Sequence, residues 1–345
     1  MEYTFNGKMD RLIVHFVGNK NNGDGTRFST AETNFEKIEE HFSSLINNSF
    51  NLVELYSFHF LPKVELNPVY QFVKSIFEDK SSFVEQTQNS ARILYDKSNH
   101  PKIKGGELQV AYFKDCLING QKVDAIGFFK SENKETFLKV LTSKVGFDLE
   151  SEMGIAVRKL DKGCLIFNTN VKNGYLVSVV DNTNRGEDAQ YWKDEFLGLQ
   201  PIANEFYQTN EFLGIAKNFV TKQLSEEFEL SKADKIDFLN RSVDYFKTHA
   251  NFNKGEFEQN VFQDPNIINS FRNYDSSHRE NNEIELSDNF QISPQAVKKQ
   301  GRAFKSILKL DKNFHIYIHG NRDLIEQGIE KDGRKYYKIY YNQES

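Results

Sequence analysis

The chain contains very little cysteine, and this scarcity excludes several classes of protein. Its 345 residues include only two cysteines, Cys116 and Cys164, and both lie in apolar stretches that are typical of strands. Two cysteines cannot build a disulfide scaffold or a four-cysteine zinc site. We therefore expect a protein of a reducing compartment, the cytoplasm.

Long hydrophobic runs are also missing. No stretch approaches the ~20 apolar residues that a membrane-spanning helix needs, and the most apolar runs, Leu12–Gly18 and Leu176–Val180, have the length of strands. The first eleven residues lack the apolar segment that a secretory signal requires. The sequence thus predicts a soluble intracellular protein with no membrane partner.

A general excess of positive charge is absent as well. The chain carries 44 Lys and Arg against 49 Asp and Glu, a net charge of −5. This balance excludes a histone-like protein that is coated all over with positive charge. Hydrophobic residues make up 38% of the chain and 31 residues are Phe, so the sequence can bury a large aromatic core.

The charge is distributed unevenly along the chain. Residues 1–186 carry 23 basic and 23 acidic side chains. Residues 187–293 carry 10 basic and 20 acidic side chains, a net charge of −10, and residues 294–345 carry 11 and 6, a net charge of +5. This asymmetry predicts three regions with different partners.

Hydrophobic periodicity predicts an α+β fold, an antiparallel sheet with helices packed on one side of it. Residues 1–186 are predicted to form this α+β domain, with hairpin strands at 108–118 and 121–129 around Asn119-Gly120, a dipeptide that favours tight turns. A second strand pair is predicted at 164–168 and 175–181.

The remaining two regions are predicted to differ in secondary structure. Residues 187–293 read as an acidic helical region that ends in a polar linker or mobile loop at 274–293. Residues 294–345 read as a small basic antiparallel β module with three strands and a short helix near 323–327.

Three helix starts are predicted from capping patterns. Ser29 and Glu32 have the spacing of a capping box, and Ser231–Asp234 is predicted to open another helix. Asn67 is followed by Pro at the first helical position. We therefore expect helices to begin at these three places.

Signals for an enzyme are weak. The loop Gly18–Thr26 has Asp24 where a phosphate-binding loop needs a lysine. His315 and His319 would lie about 13 Å apart on one strand, which is too far for both to ligate one ion. We therefore predict no catalytic residues, no metal site and no cofactor.

The segment from Asp181 to Lys193 is the most distinctive polar stretch, and it joins a predicted strand to a helix that carries the only Trp. Asp181 and Asp188 are suited to hold a divalent ion, and Arg185 is suited to contact phosphate. Asx turns and helix capping explain the same composition equally well. These three residues are therefore secondary candidates for a functional site.

Three motifs resemble a known family. They are Asp181–Arg185 with Ala189–Asp194, Gln208–Gly214, and Lys309–Phe314 running on to Ile318–Gly320. In these motifs the chain resembles the 37-kDa bacterial nucleoid-associated proteins, the NdpA/YejK family, most clearly from about residue 125 to the end. The resemblance implies a cytoplasmic protein of the bacterial nucleoid that binds DNA and has no catalytic residues.

Three functions of different classes remain open. The first is a DNA-binding nucleoid protein whose cationic surface lies in the C-terminal module. The alternative is an adaptor that binds DNA-handling enzymes through the acidic helical region and contacts DNA only indirectly. The third is a metal-dependent phosphodiesterase that uses Asp181 and Asp188.

Twelve of the aromatic residues in the acidic region exceed what a bundle of about four helices is expected to bury completely. They are Trp192, Phe196, Phe206, Phe212, Phe219, Phe228, Phe238, Phe246, Phe252, Phe257, Phe262 and Phe271. An exposed aromatic patch marks an interface. The sequence thus predicts a surface for a partner or for a second copy of the chain, a homo-oligomer.

Strand alternation assigns a DNA-binding face to the C-terminal module. Successive side chains of a strand point to opposite faces, so placing the apolar residues inward leaves Lys, His and Tyr outward. Cations contact phosphate, and Tyr rings pack against sugars or exposed bases. The predicted DNA-binding residues are Lys298, Lys299, Arg302, Lys305, Lys309, Tyr317, Arg334, Lys335, Tyr336, Lys338 and Tyr340. Arg185 and the loop Lys102–Gly106 are the alternative location.

Overall fold

The computed structural model describes residues 5–50, 52–118, 120–183, 191–301, 304, 307–317 and 324–343. The chain forms two compact units that meet in sequence between Ile202 and Ala203. The charge regions are defined by composition, and their boundary at residue 186 lies inside the first unit. Among the described residues, no helix has the length and apolar character needed to cross a bilayer.

The first unit is built on an antiparallel sheet. Its strands are β1 (Lys8–Val17), β2 (Thr26–Arg27), β3 (Leu55–Phe58), β4 (Gly106–Ile118), β5 (Gln121–Ser131), β6 (Glu135–Ser143), β7 (Gly146–Gly154), β8 (Lys162–Phe167), β9 (Leu176–Asp181) and β10 (Leu199–Pro201). The described strands of the sheet lie in the order β10-β3-β9-β8-β5-β4-β1-β2, and β6 and β7 form a separate two-stranded ribbon. Both predicted strand pairs are confirmed, as β4–β5 and β8–β9.

Helices cover both faces of this sheet, so the prediction of helices on one side is wrong. The helical segments are α1 (Glu39–Ser49), α2 (Pro68–Glu78), α3 (Phe83–Lys97) and the π-helical turn Tyr191–Leu197. One core joins α2, α3 and Trp192 to the sheet, and a second core joins α1 to the opposite face. The physical reason lies in β4, where Tyr112 belongs to the first core and Phe113 to the second. A strand that is apolar on both faces needs cover on both.

The second unit begins with a helical bundle. Its elements are α4 (Glu205–Asn218), a π-helical continuation Phe219–Gln223, α5 (Leu224–Glu227), α6 (Lys232–Thr248), β11 (Asn251–Asn253), α7 (Lys254–Val261), α8 (Pro265–Asn281), β12 (Asn289–Gln291) and α9 (Pro294–Gly301). Strands β11 and β12 pair with each other. The bundle core is aromatic, and Phe212 is in ring contact with Phe246, Phe252, Phe257 and Phe271.

The predicted exposed aromatic patch is wrong. Of the twelve aromatic residues that motivate it, eleven are buried and Phe228 is half-buried. Trp192 and Phe196 are buried in the first unit rather than in the bundle. Burial of aromatic rings at helical spacing is the commoner outcome, and it removes this argument for an interaction surface.

The predicted linker at 274–293 is also wrong, because α8 continues through its first eight residues and β12 occupies three of the others. Ion pairs stabilise the polar residues of α8. Buried Asp275 lies 2.5 Å from Lys254 and 2.7 Å from Arg279. A polar sequence thus forms a regular helix because its charges find partners in the fold.

The C-terminal residues form two separate hairpins. Strand β13 (Ile307–Leu310) pairs with β14 (Phe314–Tyr317), and β15 (Ile325–Ile329) pairs with β16 (Lys335–Ile339). The helix predicted near 323–327 is wrong over the residues described, since 325–329 is a strand. This segment pairs with β16 along its whole length, from Ile325 opposite Ile339 to Ile329 opposite Lys335, and pairing with a strand several residues further along the chain overrides the local helical signal.

Candidate nucleic-acid interface

The C-terminal hairpins are anchored on one side by a small apolar cluster. Leu308 of β13 and Ile325 of β15 are buried against Ile236 of α6. Three half-buried residues pack against this cluster: Leu310, Ile316 and Tyr337. The inward side of each hairpin is therefore the apolar side, as strand alternation predicts.

The other side of the second hairpin exposes tyrosines and a lysine, which we call the outer face (Tyr336, Lys338 and Tyr340). Tyr336 is opposite Gly328 in the register of β15 and β16, and Lys338 is opposite Glu326. A Cβ atom on Gly328 would come within 2.4 Å of the Tyr336 hydroxyl, so the glycine makes room for this ring. Tyr336 and Tyr340 are 39% and 40% exposed, which leaves both rings accessible to a ligand.

Lys338 is the cation of the outer face. Its Nζ lies 4.8 Å from the centre of the Tyr340 ring and 3.6 Å from the Glu326 carboxylate. Interaction with Tyr340, and then with Glu326, raises the pKa of Lys338, so the ammonium group is charged at neutral pH. Exposed ion pairs are weak, and a phosphate group can compete with Glu326 for this lysine.

The other predicted cations are spread over two elements. Lys335 is exposed at the start of β16, and neighbouring Arg334 donates to Asp332 at 2.7 Å. Lys298 and Lys299 are exposed in the last turn of α9, where Lys299 lies 5.3 Å from the Phe206 ring centre.

The first hairpin contributes one described aromatic residue of the predicted set. Tyr317 of β14 is 63% exposed. Arg302 and Lys305 lie outside the described residues, and so does the side chain of Lys309, whose backbone belongs to β13. The structure therefore brings together Tyr336, Lys338 and Tyr340 on one face.

Asp181, a secondary candidate, lies in a buried ionic network of the first unit. Its carboxylate accepts two hydrogen bonds of 2.8 Å from Lys162 Nζ. Glu132 accepts hydrogen bonds from the Tyr191 hydroxyl at 2.6 Å and from Lys130 Nζ at 3.0 Å. Both lysine side chains are fully buried, so two ammonium groups are matched by two carboxylates in the core.

Because of this network, Asp181 is poorly suited to bind a metal ion. A divalent ion would have to displace the Lys162 ammonium group from its carboxylate. Burial lowers the pKa of Lys130 and raises the pKa of Tyr191, which keeps the Tyr191 hydroxyl protonated as a donor. Over the described part of the chain, no cluster of three His, Cys, Asp or Glu side chains could hold a metal ion. Arg185 and Asp188 lie outside the described residues.

A solvent-open cavity of about 700 Å³ borders this network. Its rim includes Lys102 and Lys104 of the loop predicted as the alternative location. Arg158 and Lys159 also line it, together with the carboxylates of Glu132, Glu135 and Asp161. Sequence reasoning missed Arg158 and Lys159, because they follow a ribbon that was not predicted. It also missed the buried lysines, whose signal is a cation directly beside an apolar run: Lys130 follows Phe128 and Phe129, and Lys162 precedes Gly163–Phe167.

The family model of the nucleoid-associated protein YejK matches residues 13–336, nearly the whole chain. No curated protein and no solved structure gives a significant match. The match covers most of the first unit, the helical bundle and the C-terminal hairpins as far as Tyr336, so the chain belongs to the YejK family of nucleoid-associated proteins.

Proposed function

We propose that this protein acts in the cytoplasmic nucleoid by binding duplex DNA, mainly through phosphate contacts of its C-terminal hairpins. The observation that carries this proposal is the outer face, where a charged lysine lies beside two accessible tyrosine rings. Cations bind phosphate without regard to sequence, and rings add contacts to sugars and bases. Membership of a nucleoid-associated family supports the same conclusion.

The charge distribution argues that such contact is local. Phosphate repels the segment 187–293, which has a net charge of −10, and favours residues 294–345, with +5. Because the whole chain has a net charge of −5, general attraction between protein and DNA is absent. Binding must come from a small number of lysines and arginines that reach individual phosphates.

The proposal is tested by titrating a labelled random-sequence duplex with the full chain at several salt concentrations. Binding through Z phosphate contacts gives a log–log slope of about −0.9Z. Arg334 and Lys338 are four residues apart and so share one side of the strand. Replacing both with Gln (Arg334→Gln/Lys338→Gln) should weaken binding to all duplexes alike and make the slope shallower by up to about 2. Both side chains are exposed, so we expect the variant to fold normally.

A matched control separates local contacts from net charge. Lys222→Gln/Lys247→Gln removes the same two charges from exposed positions of the helical bundle, and we expect the wild-type slope. Equal weakening in both pairs would contradict the assignment to the hairpins. An unchanged slope in the hairpin pair would move the search to the loop Lys102–Gly106. Absence of binding at low salt would favour the adaptor, and nicked DNA after addition of Mg²⁺ would favour the phosphodiesterase.

A further inference from the structure

The ribbon formed by β6 and β7 has a feature that DNA binding does not explain. Its two nine-residue strands pair with each other, with Val140 opposite Leu149 next to the middle of the ribbon, and with no other described strand. A two-stranded hairpin alone is at best marginally stable in water. The ribbon therefore needs cover on at least one of its faces.

The two faces of the ribbon have different chemistry. On one face the side chains contact each other. Lys139 forms an ion pair with Glu152 at 2.9 Å, and the Phe137 ring lies over Gly154. The other face, which we call the uncharged face, contains no ionisable side chain. Its residues are Thr136, Leu138, Val140, Thr142, Phe147, Leu149, Ser151 and Met153.

Five apolar side chains of the uncharged face are open to solvent. Leu138, Val140, Phe147, Leu149 and Met153 are each between 62% and 76% exposed. Side chains of this size present on the order of 500 Å² of apolar surface, which is large for a single patch on a monomer. Two such faces in contact would bury on the order of 1,000 Å², about the minimum for a specific interface.

We propose that the uncharged face is covered by the same face of a second copy of this chain. The two copies are related by a two-fold axis that lies in the plane of the contact, perpendicular to the strands, and passes through the Val140–Leu149 pair. This axis packs each strand, in the reverse direction, against the same strand of the second copy. It places Phe147 of one copy against Ser151 of the other and sets Val140 and Leu149 against themselves. By the same operation Leu138 meets Thr142.

The sizes of the side chains that face each other fit this two-fold symmetry. On either side of the Val140–Leu149 pair, a large side chain of one copy meets a small side chain of the other. The two faces can therefore interdigitate. Charge is compatible as well, because no ionisable side chain of the uncharged face enters the contact. The acidic residues of the ribbon, Asp148, Glu150 and Glu152, lie on its other face.

Nucleic acid does not fit the uncharged face. It offers no cation to phosphate, and the three carboxylates on the reverse side of a thin ribbon would repel DNA. The proposal is therefore independent of the proposed DNA binding by the C-terminal hairpins, and either can fail without the other.

The test uses the self-facing position Leu149 in the full chain. The variants Leu149→Lys and Leu149→Glu each place two like charges against each other across the axis. Sedimentation velocity should show a dimer for the wild type at micromolar concentrations and a monomer for each variant. An equimolar mixture of the two variants should restore the dimer, because the two charges are then opposite.

Leu61 supplies the matched control, since it lies outside the ribbon and is 76% exposed. Leu61→Lys and Leu61→Glu should dimerise like the wild type. Circular dichroism identifies any variant that fails to fold, and restoration by mixing cannot occur with misfolded chains. A wild type that is monomeric up to about 100 µM, far above a micromolar dissociation constant, would overturn the proposal. So would a dimer that persists in both Leu149 variants, or one that mixing does not restore.

Discussion

At the scale of single residues, the core of the first unit contains a histidine that is held uncharged. His15 is buried in β1, where its Nδ1 accepts the backbone N–H of Ser29 at 3.1 Å and its Nε2 lies 3.1 Å from the Thr87 hydroxyl. Desolvation, together with the nearby charge of Arg92, lowers the pKa of His15 from 6.5 to about 4. A proton on this ring would have to break its bond with Ser29.

This histidine predicts a dependence of stability on pH. Between pH 6.5 and about 4, the unfolded chain binds a proton at His15 that the folded chain does not bind. The free energy of unfolding therefore falls as the pH is lowered through this window, by up to about 3 kcal/mol. Urea unfolding at pH 7 and pH 4.5, followed by the fluorescence of buried Trp192 in the same unit, measures the loss.

Substitution identifies the group responsible. His15→Gln should lower stability at pH 7 but lose less of it on acidification than the wild type does. His41→Gln, at an exposed position of α1, should behave like the wild type. Equal losses on acidification in the wild type and in His15→Gln would contradict this account.

At the scale of elements, local signals predict structure well where their partners are local. The Asn67 side chain accepts the Tyr70 N–H at the start of α2, as predicted. Ser231 is the N-cap of α6, where a helix start is predicted, and it forms a reciprocal capping box with Asp234. Each of these signals is satisfied within four residues, so the sequence alone contains the information.

Local signals fail to predict the structure where a residue bonds to a partner that is distant in the sequence. Ser29 does not start a helix, because its N–H and hydroxyl bond to His15 and to the Val14 carbonyl, and α1 begins at Glu39. The polar part of α8 was predicted as a linker because its partner Lys254 lies 21 residues away from Asp275. The ribbon was missed because its turn lacks the Asn-Gly signal that identifies β4 and β5.

The ion pairs of α8 predict a large effect of one substitution. Asp275→Ala removes the carboxylate that matches Lys254 and Arg279, and leaves both cations near the core without it. We expect the free energy of unfolding of the second unit to fall by about 3 kcal/mol. Urea unfolding followed by circular dichroism measures this change.

An exposed carboxylate of the same unit provides the comparison. Asp244 on α6 pairs with Lys247 at 3.4 Å, and both side chains are at least 60% exposed. Asp244→Ala should cost less than about 1 kcal/mol. Equal effects of the two substitutions would show that burial of Asp275 contributes nothing.

At the scale of the whole molecule, the basic C-terminal region is not a detachable module. Val297 of α9 and Phe304 belong to the core of the helical bundle, and Ile236 of α6 anchors the hairpins. A chain that ends near Ser293 would expose this core. DNA binding is therefore better tested with point variants in the full chain than by truncation.

Contacts between distant parts of the chain also limit how much of the candidate site can be predicted from the sequence. Alternation in β16 correctly separates inward Tyr337 from outward Lys338, because both positions follow from one strand. Glu326 could not be predicted as the partner of Lys338, because the segment around it was read as a helix. The charge that competes with DNA for the outer face thus becomes visible only in the fold.

That competing charge provides the most direct test of DNA binding by the outer face. Glu326→Gln frees Lys338 and removes a repulsive carboxylate, so the dissociation constant for a random duplex at low salt should fall about two- to fivefold. Glu226→Gln, an exposed position of the helical bundle with the same charge change, should bind like the wild type. Tighter binding by Glu326→Gln alone is the predicted result. An unchanged dissociation constant, or the same gain in both variants, would contradict the assignment of DNA binding to the C-terminal hairpins.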